Sequence, residues 1–342
     1  MAKWLTLRIV APAFVGSIPI IRLTDRDACL ASLFLLIKGS DHLNQKLKGV
    51  LLAMLGALCW GIQGPISQFL FQETVVSTEW LMGIKMLVAG IILSIYAISR
   101  EGLHKFMAPW HHVKEGSKLL AYALFGITLV QYMYFLTIKV SDAGIATILQ
   151  SLGTIIIIIL TLIIYHKLPT KAESFSVVLA LVGTWFLVTS PSSLLKLNLS
   201  TKTIIFGLLL AFAGAMQTMI PVGLLKKYSS FILLGHAMLI GGIIFTCIHP
   251  FWRDYPKLTM PVLLGVSFIV LFGTALAYIC FTSSLKYISA TSAGLLAAVE
   301  PVSAVIGTVC FLGTTFTWNQ LLGGVLVVST IFILALFNKK EG

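Results

Sequence analysis

Charge is scarce in this chain, and acidic charge is scarcest. Asp and Glu number 12 in 342 residues against 24 Lys and Arg, and charged residues make up 11% of the sequence. Soluble domains carry about 25%. With 58% hydrophobic residues there is too little polar surface to clothe a soluble globule. Cysteine is sparse as well. Cys29, Cys59, Cys247, Cys280 and Cys310 are scattered, four of them within apolar runs, and no C-x-x-C pair occurs. That spacing excludes a zinc site or a disulfide framework and leaves packing as the role of these residues. A Walker loop, an H-E-x-x-H run and a nucleophile motif are all missing, so ATP-driven transport and intramembrane proteolysis have no support. No catalytic residue, cofactor or metal is expected. The net charge of +12 lies in short loops, without the basic, aromatic-interleaved stretch that tracks a phosphate backbone. Nucleic acid is therefore not an expected partner. The expected partners are the lipid bilayer and a small-molecule substrate, with the chain a monomer or homodimer.

What the sequence does have is long apolar runs. A helix needs about 20 apolar residues to cross the hydrocarbon core. Ten segments qualify: Lys48–Gln72, Ser77–Ser99, Lys118–Ile138, Asp142–Tyr165, Glu173–Thr189, Thr203–Leu225, Ser230–His249, Met260–Leu285, Ser289–Leu312 and Trp318–Phe337. The runs are continuous rather than alternating, which points to helices and not to a barrel. The fold class expected is an all-α membrane protein of ten transmembrane helices.

The chain also repeats itself. Gly83-Ile-Lys-Met-Leu-Val-Ala-Gly-Ile-Ile92 aligns with Gly235-His-Ala-Met-Leu-Ile-Gly-Gly-Ile-Ile244 at six of ten positions. Leu124-Phe125-Gly126 recurs as Leu271-Phe272-Gly273, followed by Lys139/Lys286, Ala143/Ala290, Ala146/Ala293 and Leu149/Leu296. Each copy carries five spans, and an odd number forces the copies into opposite orientations. Two inverted five-helix repeats are expected, at residues 47–190 and 202–338, after an N-terminal tail of residues 1–46. Within that tail Ile9–Ile21 is too short to span and holds Pro12 and Pro19, so the tail reads as disordered, surface-lying, or the product of an upstream start. Inverted repeats mark secondary transporters whose substrate site lies where the repeats meet.

Loop charge sets the expected orientation. Lys46, Lys48, Arg100, Lys105, Lys114, Lys118, Lys167, Lys171, Lys226, Lys227, Lys286, Lys339 and Lys340 fall on one side. The other side holds Lys139, Lys196, Lys202, Arg253 and Lys257, so both termini are expected in the cytoplasm of a multi-pass plasma-membrane protein. Trp80, Trp252, Tyr255 and Trp318 fall near span ends on the outer side, as an interfacial aromatic belt requires. Spans five and ten, the least polar, are expected at the periphery.

Candidate site residues follow from polarity out of place. Lys85 and Glu300 are the two formal charges deep within spans, where a charge costs about 2.5–3.5 kcal/mol or more on insertion scales. Their repeat counterparts are Ala237 and Gly153, so each charge is an asymmetric addition to a symmetric frame. They are expected to face the interior. There they form an ion pair, act separately on substrate, or, in the case of Glu300, carry protons. Pro65 and Pro221, in spans one and six, and Pro301 beside Glu300 are expected helix breaks, since Pro removes a backbone donor. Gln63 and Gln217 lie next to those breaks, and a cavity with Trp60, Tyr132 and Tyr134 is expected around them. Gln131, Gln150 and His236 are weaker intramembrane signals. His104, His111 and His112 lack a carboxylate or cysteine set for a metal.

The Gly56-Ala-Leu-Cys-Trp60-Gly61 start, the basic Lys85, and Ala297-Ala-Val-Glu300-Pro301-Val-Ser-Ala304 together carry a resemblance, extended by Phe311-Leu-Gly-Thr-Thr-Phe-Thr-Trp-Asn-Gln-Leu-Leu-Gly323. The sequence resembles the EamA family of the drug/metabolite transporter superfamily over Leu47–Phe337. The family pattern has an acidic residue where Thr314 stands and a proline where Thr154 stands, and this chain departs from both. The resemblance implies a ten-helix permease with a central cavity opening alternately to each side, moving a metabolite or drug outward. The alternative is a membrane-embedded enzyme or a non-transporting receptor.

Overall fold

The computed structural model describes residues 45–74, 76–141, 143–166, 168–188, 200–253, 255–297 and 299–312, with isolated residues between 318 and 333. Most of the expected tenth span and all but the last two residues of the expected tail lie outside the described residues. Among the described residues every regular element is helical. In chain order these are α1 (Gln45–Glu73), α2 (Thr78–Glu101), α3 (Val113–Val140), α4a (Ala143–Ser151), α4b (Gly153–Tyr165), α5 (Lys171–Val188), α6 (Thr201–Leu224), α7 (Ser230–Ile248), α8 (Met260–Ser284), α9a (Ala290–Leu296) and α9b (Val299–Leu312). Six of them (α1, α2, α3, α6, α7 and α8) are long and apolar enough to cross a membrane.

Local chemistry sets the helix ends. Hydrocarbon offers no partner for the first free N–H groups of a helix, so they need caps. Ser77, Ser200, Ser229 and Ser289 each accept from the backbone N–H three residues on, at 3.1–3.3 Å. Gly102 ends α2 at φ 87°, a conformation that side-chain-bearing residues rarely adopt, and its N–H donates to Ile98 O at 2.9 Å.

Large apolar side chains turn outward from these helices: Ile91, Ile92 and Ile95 on α2, Leu208 and Phe212 on α6, Leu263 and Leu264 on α8. In water such a surface would aggregate; against acyl chains it is the expected face. Inside, α2 packs on α7, α1 on α8 and α9b, and α6 on α3 and both parts of α4.

The α2–α7 crossing is close because small residues line it. A Cβ on Gly90 would lie 2.7 Å from Leu239 N, and one on Gly242 would lie 2.6 Å from Leu87 N. Similarly, Gly83 faces Thr246 and Gly235 faces Ser94. Partners on α7 descend as those on α2 ascend, so the two helices run antiparallel. Each contact also recurs with its members exchanged: Gly90 and Leu87 are the repeat counterparts of Gly242 and Leu239.

Three expectations are corrected. Pro65 and Pro221 each remove one backbone donor but do not interrupt their helices: α1 and α6 remain helical through them. The interruptions fall instead in the fourth and ninth helices. At Leu152, N–H donates to Leu149 O at 3.2 Å, and at Glu300, N–H donates to Ala297 O at 2.9 Å. These tighter i→i+3 bonds replace the α-helical pattern at both places. Pro301 sits in the first turn of α9b, where its missing N–H is no loss. Trp80 is no belt residue. It is 3% exposed, because its Nε1 donates to Phe251 O at 3.0 Å. Trp252, Tyr255 and Trp318 are exposed. Finally, α5 is peripheral on one face only. Phe175, Val178 and Val182 point outward, while Val177, Ala180 and Leu181 line a cavity.

Candidate functional site

Seven helical segments converge on one small cavity. Its walls are Trp60 and Gln63 from α1, Lys85 from α2, Val130, Gln131 and Tyr134 from α3, Gln150 from α4a, Gln217 from α6, Tyr278 from α8 and Glu300 from α9b. A second, wider cavity shares Trp60, Gln150, Gln217 and Glu300 and extends toward Thr147, Val177, Gly214 and Leu295. The six residues singled out as Lys85, Glu300, Gln63, Gln217, Trp60 and Tyr134 all line the first cavity. Tyr132 does not: its hydroxyl donates to Glu79 Oε1 at 3.1 Å and its ring packs on Phe245 at 4.9 Å. Two residues of offset on α3, at about 100° per residue, turn it away from Tyr134.

Each glutamine sits against a glycine of the other repeat. Gln217 backbone lies where a Cβ on Gly126 would reach, at 3.1 Å from its Cα, and the Gln63 side chain occupies the place of a Cβ on Gly273. Gly126 and Gly273 are repeat counterparts, and so are the π-helical segments that hold them, Tyr122–Thr128 in α3 and Ile269–Leu276 in α8. A π-helical turn inserts an extra residue and re-aims the side chains that follow, and such turns gather at functional sites. Here they are followed by Gln131 and Tyr134 on α3 and by Tyr278 on α8.

Glu300 is set by close backbone packing. A Cβ on Gly61 would collide with Glu300 O and Ser303 Oγ, so glycine lets α1 touch the first turn of α9b. Ser303 Oγ donates to Glu300 O at 2.9 Å or Val299 O at 3.1 Å. The Glu300 carboxylate accepts from Gln150 Nε2 at 2.9 Å. Lys85 is 1% exposed, and its Nζ lies 3.9 Å above the centroid of the Phe135 ring. Among the described residues the ion pairs are Lys105–Glu101 and Lys227–Glu115, so Lys85 and Glu300 share the cavity without pairing.

Several polar atoms of the cavity wall have no hydrogen-bond partner among the described residues: Trp60 Nε1, Gln63 Oε1, Gln131 Nε2 and Oε1, and the Tyr134 hydroxyl. Buried polar groups are almost always paired. Their clustering here marks a place built to be filled. Tyr278 and Phe135 escaped sequence reasoning, since aromatic residues in an apolar run carry no signal of facing inward. Gln150 carried a weak signal and proves to hold Glu300. His236 lies elsewhere, stacked on Phe106 at 3.9 Å with Nδ1 bonded to Ile232 O at 2.9 Å. The described residues hold no cluster of metal-ligating side chains, and His104 and His111 meet ring to ring at 5.8 Å.

Comparison with known proteins gives this cavity its setting. The profile of the EamA-like transporter family matches residues 47–189 and 201–336. The chain belongs to the EamA-like transporter family. Among EamA-like relatives, the uncharacterized inner membrane transporter YicL of Salmonella typhimurium is 27% identical over 296 residues, 86% of this chain and 97% of that protein. The uncharacterized transporter YwfM of Bacillus subtilis is 26% identical over 298 residues, 85% of this chain and 95% of that protein. A solved crystal structure, 14% identical, superposes with a TM-score of 0.69 over 86% of this chain and 99% of the other. At that identity the likeness speaks for a shared fold alone. The protein is thus an EamA-like membrane transporter.

Proposed function

We propose that this transporter moves a small organic solute through the cavity between two inverted five-helix halves, residues 47–190 and 202–338. The cavity opens alternately to each side of the plasma membrane. Ten helices with both termini in the cytoplasm and net transport outward complete the reading. The observation that carries it is the exchanged pair of close contacts between α2 and α7, Gly90 on Leu239 and Gly242 on Leu87. Contacts that recur with their members exchanged, across antiparallel counterpart helices α2 and α7, are what a two-fold axis in the membrane plane produces. The unpartnered polar atoms of Trp60, Gln63, Gln131 and Tyr134 supply the recognition groups such a site needs.

Reconstituted vesicles tested with a panel of labelled metabolites examine this directly. At least one small polar solute is expected to cross faster than in protein-free vesicles, and Gln63→Ala and Gln217→Ala are each expected to slow it. A chemically altered product in place of flux would favour the membrane-enzyme reading instead.

A further inference from the structure

The charges in the cavity are unequally satisfied. Glu300 already has a donor, the Gln150 amide at 2.9 Å. Lys85 has the face of Phe135, which steadies an ammonium but supplies no counter-charge. Among the described residues no carboxylate lies within ion-pair distance of Lys85. A buried cation without a counter-ion is costly, and the cost falls when an anion arrives with hydrogen-bond donors around it. Those donors are present. Trp60 Nε1, Gln131 Nε2 and the Tyr134 hydroxyl line the same cavity as Lys85, each residue is more than nine-tenths buried, and none of these atoms has a partner among the described residues. The remaining wall is polar at Gln63, Gln150, Gln217 and Glu300, the last already bonded to Gln150, and apolar or aromatic at Val130, Tyr278 and the Trp60 ring, which packs on Tyr278 at 4.9 Å.

We infer that the cavity takes a small organic anion, a carboxylate on a flat apolar body, and that Lys85 is the residue that selects for the charge. The inference rests on the transport reading for its biology but not for its chemistry. Lys85 belongs to one half only, its counterpart being Ala237. The anion therefore lies to one side of the pseudo-symmetric frame, toward α2 and α3, with its apolar body toward α8.

The test uses three probes of one shape: phenylacetate, phenylacetamide and phenethylamine. Thermal stabilisation of the purified full-length protein measures binding, and flux into vesicles measures transport. Phenylacetate is expected to stabilise the wild type at concentrations about tenfold or more below phenylacetamide, the loss typical of a charge-assisted hydrogen bond. Phenethylamine should bind worst. Lys85→Gln should remove the preference for carboxylate over amide, and Lys85→Arg should keep part of it. Equal stabilisation by carboxylate and amide, stabilisation by none of the probes, or an unchanged preference in Lys85→Gln would each overturn the inference. If Lys85→Gln does not fold, the wild-type ranking of the three probes decides alone. Should phenylacetate bind selectively while no solute crosses the wild-type membrane, the transport reading fails and the anion site stands.

Discussion

Gly61 shows how much of this site depends on a missing side chain. The atoms that a Cβ there would meet include Glu300 O and Ala304 N, which are backbone and cannot swing aside. Gly61→Ala must therefore push α1 away from α9b and move Glu300 with it. Overpacking of this kind costs about 1–3 kcal/mol, and thermal unfolding of the detergent-solubilised protein should register it as a lowered midpoint. Gly223 on α6 is the control, for a Cβ there meets nothing within 4 Å. Gly223→Ala should leave the midpoint unchanged or raise it, since alanine is the better helix former by about 1 kcal/mol. A midpoint for Gly61→Ala at or above wild type would mean that the close approach of α1 to α9b is not required. Gly61 belongs to the Gly56–Gly61 start that carries the family resemblance, yet its contact with α9b leaves no local pattern in the sequence. Lys85 and Glu300, by contrast, were legible at once, since charge in hydrocarbon needs a reason. Their separate partners, Phe135 and Gln150, were not, because contacts between distant helices leave no local pattern.

At the scale of the helix, the apolar runs gave the described helices to within a few residues. Their irregularities were misassigned. Proline was read as the break in spans one and six, yet α1 and α6 continue through Pro65 and Pro221. The interruption of the fourth helix carries no proline at all, only Leu152 between α4a and α4b. The π-helical turns of α3 and α8 were invisible because one inserted residue barely disturbs the periodicity of a run that is apolar all round. The break at Leu152 makes a sharp prediction. Thr154 lies in the first turn of α4b, where a backbone N–H has no helical acceptor to lose, as Pro301 does in α9b. Thr154→Pro should fold almost as well as wild type. Leu160→Pro, two turns later, should cost about 3 kcal/mol or more. Fluorescence-detected size exclusion of both variants compares them, and equal loss of the folded peak would show that the fourth helix is continuous in the working protein.

For the molecule as a whole, two polar links tie residues 47–189 to residues 201–336 at opposite ends of the α2–α7 pair. At one end Glu115 accepts from Lys227 Nζ and from the Tyr228 hydroxyl. Burial, and then the Glu115 carboxylate, push that hydroxyl up to about 12, so Tyr228 stays a donor at every physiological pH. At the other end Trp80 Nε1 donates to Phe251 O at 3.0 Å. If two halves rock about a fixed site, each opening must loosen one link while the other holds. From the loop lysines we expect the Lys227 end in the cytoplasm and the Phe251 end outside. Single cysteines in a background without native cysteines test both statements. Lys226→Cys should react with an impermeant maleimide only from the cytoplasmic side, and Lys257→Cys only from outside. Labelling of Lys226→Cys in intact cells would reverse the orientation. With Gln217→Cys as the reporter in the cavity, Trp80→Phe keeps the ring and removes the donor. The net worth of one hydrogen bond corresponds to about a two- to tenfold shift in an equilibrium. Labelling of Gln217→Cys from outside should quicken by that factor, and Glu115→Gln should quicken it from the cytoplasm. If both variants label at the wild-type rate from both sides, these links do not govern access to the cavity, and the two halves do not rock on them.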